Sequence, residues 1–109
     1  MTGGPTNGEP EERLLLSVEG GPEAPIELPG AGVMLVGSSK ERAGLVLEGE
    51  GVAGVHCAIG KAKGGGWAIK DLGSPSGTRV NGRRVENARL SAGDRIEIAS
   101  RRLSVLGRG

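Results

Sequence analysis

His56 and Cys57 are the side chains of this 109-residue chain best suited to nucleophilic or acid–base chemistry, and it has no other histidine or cysteine. A histidine that activates a cysteine must lie within hydrogen-bonding reach of the thiol. Neighbours in a β-strand point to opposite faces of the sheet, so His56 and Cys57 cannot readily form that pair. Asp71 and Asp94 lie where predicted strands end and do not form a carboxylate pair of recognisable spacing. The sequence therefore predicts a protein that is not an enzyme.

The sequence also lacks the usual signatures of a bound metal or nucleotide. A single cysteine cannot form an internal disulfide, and no Cys/His cluster has the spacing of a structural zinc site. Gly64, Gly65 and Gly66 form a glycine run, but no helix is predicted to follow it, as a phosphate-binding loop requires. We therefore expect no cofactor and no metal.

One short segment combines hydroxyl and basic side chains that could bind an anion. Ser38, Ser39, Lys40 and Arg42 lie in a single predicted loop. Arginine can donate two parallel hydrogen bonds to a phosphate, whereas lysine acts as a point charge. The alternative is ordinary solvated loop charge, and the residue types alone leave both interpretations open.

Charge is distributed unevenly along the chain. Residues 1–30 carry six acidic and one basic side chain, and residues 31–109 carry thirteen basic and seven acidic ones. A basic body could attract an acidic peptide, although such charge can also serve solubility alone. Nucleic acid is a third candidate partner, but the net charge of +1 and the single aromatic residue argue against it.

The chain is predicted to form one domain behind a short leader. Residues 1–10 are polar and rich in Gly and Pro, so they predict a disordered leader, with the domain over residues 11–107. No apolar run approaches the roughly 18 residues that a membrane span needs, and the N-terminus lacks the pattern of a signal peptide. These features favour a cytoplasmic location without membrane contact.

The remaining elements are short apolar runs separated by turn residues. Residues 33–36 form a continuous apolar run, which predicts a strand buried on both faces. Residues 67–72 alternate as a half-buried strand does, and Asn81-Gly82 predicts a type I′ hairpin turn. Roughly ten such runs with no helical periodicity predict an all-β sandwich. Because Phe and Tyr are absent, its core must be aliphatic.

Four groups of residues, in this order and spacing, resemble the forkhead-associated (FHA) domain. They are Val36-Gly37, Val52-x-x-x-His56-Cys57-Ala58-Ile59, Trp67-x-Ile69-x-Asp71-Leu72-Gly73-Ser74-x-x-Gly77-Thr78-x-Val80-Asn81-Gly82, and Leu90-x-x-Gly93-Asp94-x-Ile96-x-Ile98. The resemblance covers residues 13–107 and implies a SMAD/FHA-type β-sandwich of about eleven mostly antiparallel strands. It also implies that loops at one end bind phosphothreonine peptides in Ser/Thr kinase signalling.

The resemblance further implies which positions face the ligand, and here this chain departs from the family. Ser38 stands where the family has its phosphate-binding arginine. Ala53 replaces its phosphate-binding serine, and Gly54 is the next contact position. Ser76 replaces the asparagine that holds the peptide backbone. Asn81 lies near the bound peptide in many relatives, although its turn chemistry alone also explains it.

The predicted sites follow from these comparisons. The predicted ligand-binding residues in the loops at one end are Ser38, Ser39, Lys40, Arg42, Ala53, Gly54, Ser76 and Asn81. The residues predicted to support those loops are Gly37, His56, Gly77 and Thr78. We expect an FHA-type protein-interaction module with lost or altered phosphothreonine recognition. The alternative is a phosphothreonine-peptide reader that uses relocated basic residues.

Overall fold

The computed structural model describes residues 14–21, 23–28 and 32–108. The predicted leader and the predicted start of the domain at residue 11 lie outside these residues. Among them, no helix has the length and apolar character that crossing a membrane requires.

The described residues form eleven short strands and no helix, as the all-β prediction required. The strands are β1 (Leu14–Val18), β2 (Ile26–Leu28), β3 (Val33–Gly37), β4 (Leu45–Val46), β5 (Cys57–Lys61), β6 (Trp67–Asp71), β7 (Thr78–Val80), β8 (Arg83–Val85), β9 (Asn87–Leu90), β10 (Arg95–Ile98) and β11 (Arg101–Arg108).

The strands build two sheets that enclose one core. The six-stranded sheet has the order β2-β1-β11-β10-β7-β8, and the five-stranded sheet has the order β4-β3-β5-β6-β9. The described pairs are antiparallel except β3 with β4. This is a mostly antiparallel β-sandwich.

The core is aliphatic apart from Trp67 and Cys57. It draws Leu14, Leu16 and Ile96 from the six-stranded sheet, and Ile59 and Trp67 from the five-stranded one, all at most 2% exposed. Burying a side chain of this size stabilises the fold by about 1.5–3 kcal/mol.

The prediction that residues 33–36 are buried on both faces is wrong. Val36 is fully buried, but Val33 is 68% exposed. Val33 and Leu35 point to the outer face of the five-stranded sheet, where they lie opposite Gly60 and Ala58 of β5. No described element covers that face, and its apolar side chains concealed the alternation in the sequence.

The predicted type I′ turn is present between β7 and β8. Asn81 has φ of 54° and Gly82 has φ of 85°. The Asn81 amide donates from Nδ2 to Oδ1 of Asp94 at 3.0 Å, and Asn81 Oδ1 accepts the backbone N–H of Arg95 at 3.0 Å. This side chain therefore ties the β7–β8 turn to the start of β10.

Candidate functional site

Four connections meet at one end of the sandwich, and we call them the apical loops. They are residues 38–44 after β3, residues 47–56 before β5, residues 72–77 between β6 and β7, and residues 99–100 between β10 and β11. Hydrogen bonds among them, given below, hold them together.

The loop after β3 is bonded to the loop before β5. The backbone N–H groups of Ser38 and Ser39 donate to the carbonyls of Ala53 and Gly54 at 2.9 and 3.1 Å. The Ser38 hydroxyl donates to the Val52 carbonyl at 3.2 Å. The Ser38 side chain, at the position where the resemblance implies a phosphate-binding arginine, is thus engaged within the domain.

Gly37 permits this close contact. A Cβ atom at Gly37 would lie 2.1 Å from the carbonyl oxygen of Gly54 and 2.8 Å from that of Ala53. Both oxygens belong to the backbone, so no flexible side chain could move aside to make room for the Cβ atom. The two loops can approach this closely only with glycine at residue 37.

His56 lies beneath the apical loops and is fully buried. Its Nδ1 accepts the N–H of Ala53 at 3.1 Å, and Nε2 lies 2.9 Å from the carbonyl oxygen of Gly77. Because Nδ1 is an acceptor, the ring proton sits on Nε2 and is donated to Gly77. The imidazole therefore links the loop before β5 to the loop before β7.

Asp71 is the centre of the loop between β6 and β7. Its Oδ1 accepts the hydroxyls of Ser74 at 2.5 Å and Thr78 at 2.7 Å, and its Oδ2 accepts the N–H groups of Gly73 and Ser74 at 3.0 and 3.2 Å. Partial burial raises the pKa of Asp71, but these hydrogen bonds outweigh it and hold the pKa below its usual value.

From the sequence, Asp71 was predicted only to end a strand, and this role in the loop was not predicted. The signal was an Asp followed by Gly and Ser, since Asp side chains commonly accept the backbone N–H groups just after them. The Ser74 hydroxyl also accepts the N–H of Gly77 at 3.0 Å, so the network extends to the residue that His56 binds.

A turn at residues 49–51 joins the apical loops. The Ser76 hydroxyl donates to the carbonyl of Gly51 at 2.9 Å, and the Ser100 hydroxyl donates to that of Glu50 at 2.9 Å. Gly51 has φ of +84°. Ser76, at the position where the resemblance implies an asparagine, is thereby bonded to a neighbouring loop.

The two predicted cations of the loop after β3 differ in their surroundings. Lys40 Nζ lies 3.6 Å from Oε2 of Glu48, and both side chains are largely exposed. Arg42 donates its backbone N–H to the Ser39 hydroxyl at 3.2 Å. Its exposed guanidinium has no hydrogen bond or ion pair with any described residue.

The structure does not bring Asn81 to the other predicted ligand-binding residues. Gly77 precedes β7 and Asn81 follows it, so the three residues of the strand, about 10 Å long, separate Asn81 from the apical loops. Asn81 was grouped with them because the resemblance implies that it lies near the bound peptide. Within the fold, Asn81 serves the turn at the opposite end.

The family model of the FHA domain matches residues 34–99, which is more than half of the chain. This chain belongs to the FHA family. FHA domains are phosphopeptide-binding protein-interaction modules rather than enzymes. A search of curated proteins found no significant match.

Solved FHA structures share the fold over most of this domain. The FHA domain of CT664 protein from Chlamydia trachomatis is 28% identical, with a TM-score of 0.76, covering 86% of this chain and 96% of that one. The FhaA FHA domain complexed with the intracellular domain of Rv3910 is 27% identical, with a TM-score of 0.75 and coverages of 84% and 98%. The MEK1 FHA domain in complex with the HOP1 pThr318 peptide is 26% identical, with a TM-score of 0.72 and coverages of 85% and 94%.

This FHA domain has apical loops that are supported by buried, hydrogen-bonded residues. His56 and Thr78 are fully buried and hydrogen-bonded beneath the apical loops, and Gly37 and Gly77 are also buried. Ser38 and Ala53 are partly buried, and Ser76 and Gly54 are exposed. The residues predicted to support the loops are therefore more deeply buried than these four residues predicted to bind the ligand.

Proposed function

We propose that this FHA domain binds a protein partner through its apical loops, with phosphothreonine recognition lost or altered. The observation that supports this proposal is the contact of Ser38 with Ala53 and Val52. Where the family resemblance implies an arginine and a serine that bind phosphate, this chain offers one internally bonded hydroxyl and a methyl group.

The energetic consequence can be estimated from ordinary hydrogen bonds. A hydrogen bond to a charged group contributes about 1.5–3 kcal/mol, so losing two such partners removes roughly 3–6 kcal/mol. At about 1.4 kcal/mol for each factor of ten, phosphopeptide affinity falls by about two to four orders of magnitude. A micromolar site would become too weak to select phosphorylated partners.

The retained scaffold supports binding of another kind. Loops held on a rigid framework are common sites of recognition, and these loops are fixed by His56 and the Asp71 network. Exposed residues such as Gly54 and Ser76 leave a surface that a partner can match by shape and backbone hydrogen bonds.

The test is a titration of the full chain with a peptide library in phosphothreonine and unphosphorylated forms. We expect the two forms to bind within about tenfold of each other, since a single charge-assisted bond accounts for roughly that factor. The double variant Ser38→Arg/Ala53→Ser should raise the preference for the phosphorylated form by about two orders of magnitude.

A matched control makes the same chemical changes at the other end of the sandwich. Ser91→Arg/Ala92→Ser places an arginine and a hydroxyl in the exposed turn before β10, and it should leave the phosphate preference unchanged. A preference of a hundredfold or more for phosphorylated peptides in the unmodified domain would contradict the proposal.

The second candidate function is a phosphothreonine reader with a relocated cation, and the free guanidinium of Arg42 favours it. In that case Arg42→Ala should abolish phosphate-dependent binding. Lys40→Ala should have a smaller effect, because Glu48 already lies beside that ammonium. Lys63→Ala, in the hairpin between β5 and β6, serves as the remote control.

A further inference from the structure

A row of charged side chains crosses the outer face of the six-stranded sheet. Arg79 of β7 lies opposite both Arg84 of β8 and Glu97 of β10, and Glu97 lies opposite Arg102 of β11. The row faces outward because the neighbours of these residues along the strands, such as Val80 and Ile98, belong to the core.

The charges in this row are not evenly compensated. Arg102 lies 3.6 Å from Glu97 and 3.8 Å from Glu19, so both acids are directed at one arginine. Arg79 and Arg84, which we call the arginine pair, have no ion pair with any described residue. Like charges directly opposite one another in a sheet are destabilising. An anion between them would relieve this repulsion.

The arginine pair is next to the apical loops. The Arg84 side chain lies against Gly77: its Nε is 2.6 Å from where a Cβ of Gly77 would be. A groove of about 340 Å³ lined by Ser76, Gly77, Arg79, Glu97 and Ala99 connects the two regions. An extended chain docked on the apical loops could therefore continue onto the arginine pair.

We propose that the arginine pair binds the carboxylates of an acidic segment of the protein partner that docks on the apical loops. Guanidinium groups bind carboxylates through two parallel hydrogen bonds, and two adjacent guanidiniums select neighbouring acidic residues. Charge complementarity favours an acidic peptide. Single-stranded nucleic acid would also need aromatic side chains for stacking, and the only one in the chain, Trp67, is buried. This inference rests on the proposed function for its partner but not on phosphate dependence.

The test uses a fluorescein-labelled peptide with three consecutive glutamates, its glutamine counterpart, and a single-stranded oligonucleotide. In fluorescence anisotropy at low salt, the full chain should bind the glutamate peptide at least tenfold more tightly than the glutamine peptide. Arg79→Ala/Arg84→Ala should weaken that binding about tenfold, since each exposed ion pair contributes a few-fold. Amide shifts on titration should centre on residues 76–85.

The matched control removes two exposed cations from elsewhere. Lys63→Ala/Lys70→Ala changes the net charge equally, and Lys70 lies on the five-stranded sheet. This control variant should change the affinity for the glutamate peptide by less than twofold. An equal loss in this control, or oligonucleotide binding as tight as peptide binding, would show a non-specific polyanion surface and overturn the proposal.

The chain's own acidic residues at positions 9–12 are the competing occupant. Glu9→Gln/Glu11→Gln/Glu12→Gln should leave the affinity for the glutamate peptide unchanged. A rise of fivefold or more would assign the arginine pair to these residues and overturn the proposal. Failure of the glutamate peptide to bind would also overturn the proposal. It would leave the proposed function untouched, because that function is tested separately by comparing phosphorylated with unphosphorylated peptides.

Discussion

At the residue scale, the buried His56 and the partly buried Asp71 hold the apical loops from below. His56 satisfies one backbone N–H and one carbonyl from two different loops, and the Asp71 carboxylate accepts four hydrogen bonds. Both side chains have fixed geometry because each of their polar atoms has a partner. Loss of the imidazole would leave the buried carbonyl of Gly77 without this donor.

The Asp71 network should make stability depend on pH. In the folded protein the pKa of Asp71 is below its ordinary value of 3.8. The ionised carboxylate therefore contributes its full stabilisation of the fold above pH 3.8, and this stabilisation is lost as the pH falls through the lowered pKa of the folded protein. We expect Asp71→Asn to lower the free energy of unfolding by about 2 kcal/mol at neutral pH. In urea titrations, the difference from the unmodified protein should shrink below pH 3.8.

Glu86→Gln is the control for this measurement, since Glu86 is exposed. It should change stability by less than about 0.5 kcal/mol across the same range. A difference between Asp71→Asn and the unmodified protein that stays constant down to pH 2 would refute the assigned role.

At the element scale, the strands were easier to predict from sequence than the loops. Alternation predicted β6, and the Asn81-Gly82 pair predicted the β7–β8 turn, because both are local signals. The prediction that Val33 is buried was wrong because the outer face of β3 also carries apolar residues, so the sequence shows no alternation that would reveal which face is exposed. The positive φ of Ala99, 55°, and the hydrogen bonds of Gly51 and Glu50 with Ser76 and Ser100 involve residues far apart in the chain, which no local pattern encodes.

The glycine contact between β3 and the loop before β5 can be tested directly. Gly37→Ala would place a Cβ 2.1 Å from the Gly54 carbonyl oxygen, so the loop must shift and the Ser38–Ala53 bond must stretch. Overpacking of this kind costs about 1–3 kcal/mol. Denaturant unfolding should show this decrease in the free energy of unfolding, and amide spectra should show shifts at residues 38–39 and 52–56.

Gly54→Ala gives the matched comparison on the other side of the same contact. A Cβ there would meet only Ser39 Cβ at 3.6 Å, which is ordinary contact. We expect a change below about 0.5 kcal/mol. Equal destabilisation by the two substitutions would mean that the close approach at Gly37 does not limit the loop.

At the scale of the whole molecule, both sheets contribute to one core and should unfold together. Trp67 and Leu90 of the five-stranded sheet line a cavity of about 270 Å³ with Leu14 and Val105 of the six-stranded sheet. Trp67 is 2% exposed and is the only aromatic residue, so its fluorescence reports the packing of the two sheets. The sequence predicted this fold class and the family, whereas the cytoplasmic location stays a prediction.

We expect urea unfolding followed by Trp67 fluorescence to coincide with unfolding followed by far-ultraviolet circular dichroism. Single domains of this size usually unfold in one cooperative transition. The emission should shift to longer wavelength as the indole becomes exposed. Two separated midpoints would show that one sheet persists without the other.

The pairing of β1 with β11 has a consequence for how this domain can be joined to other polypeptides. Leu14 lies opposite Arg108. Arg108 is seven residues, or roughly 23 Å, along β11 from Arg101, which directly follows the turn at residues 99–100. Both ends of the folded unit therefore emerge side by side at the base. A module joined directly at residue 14 or residue 108 therefore starts at the end of the sandwich opposite the apical loops, so such fusions should leave those loops accessible.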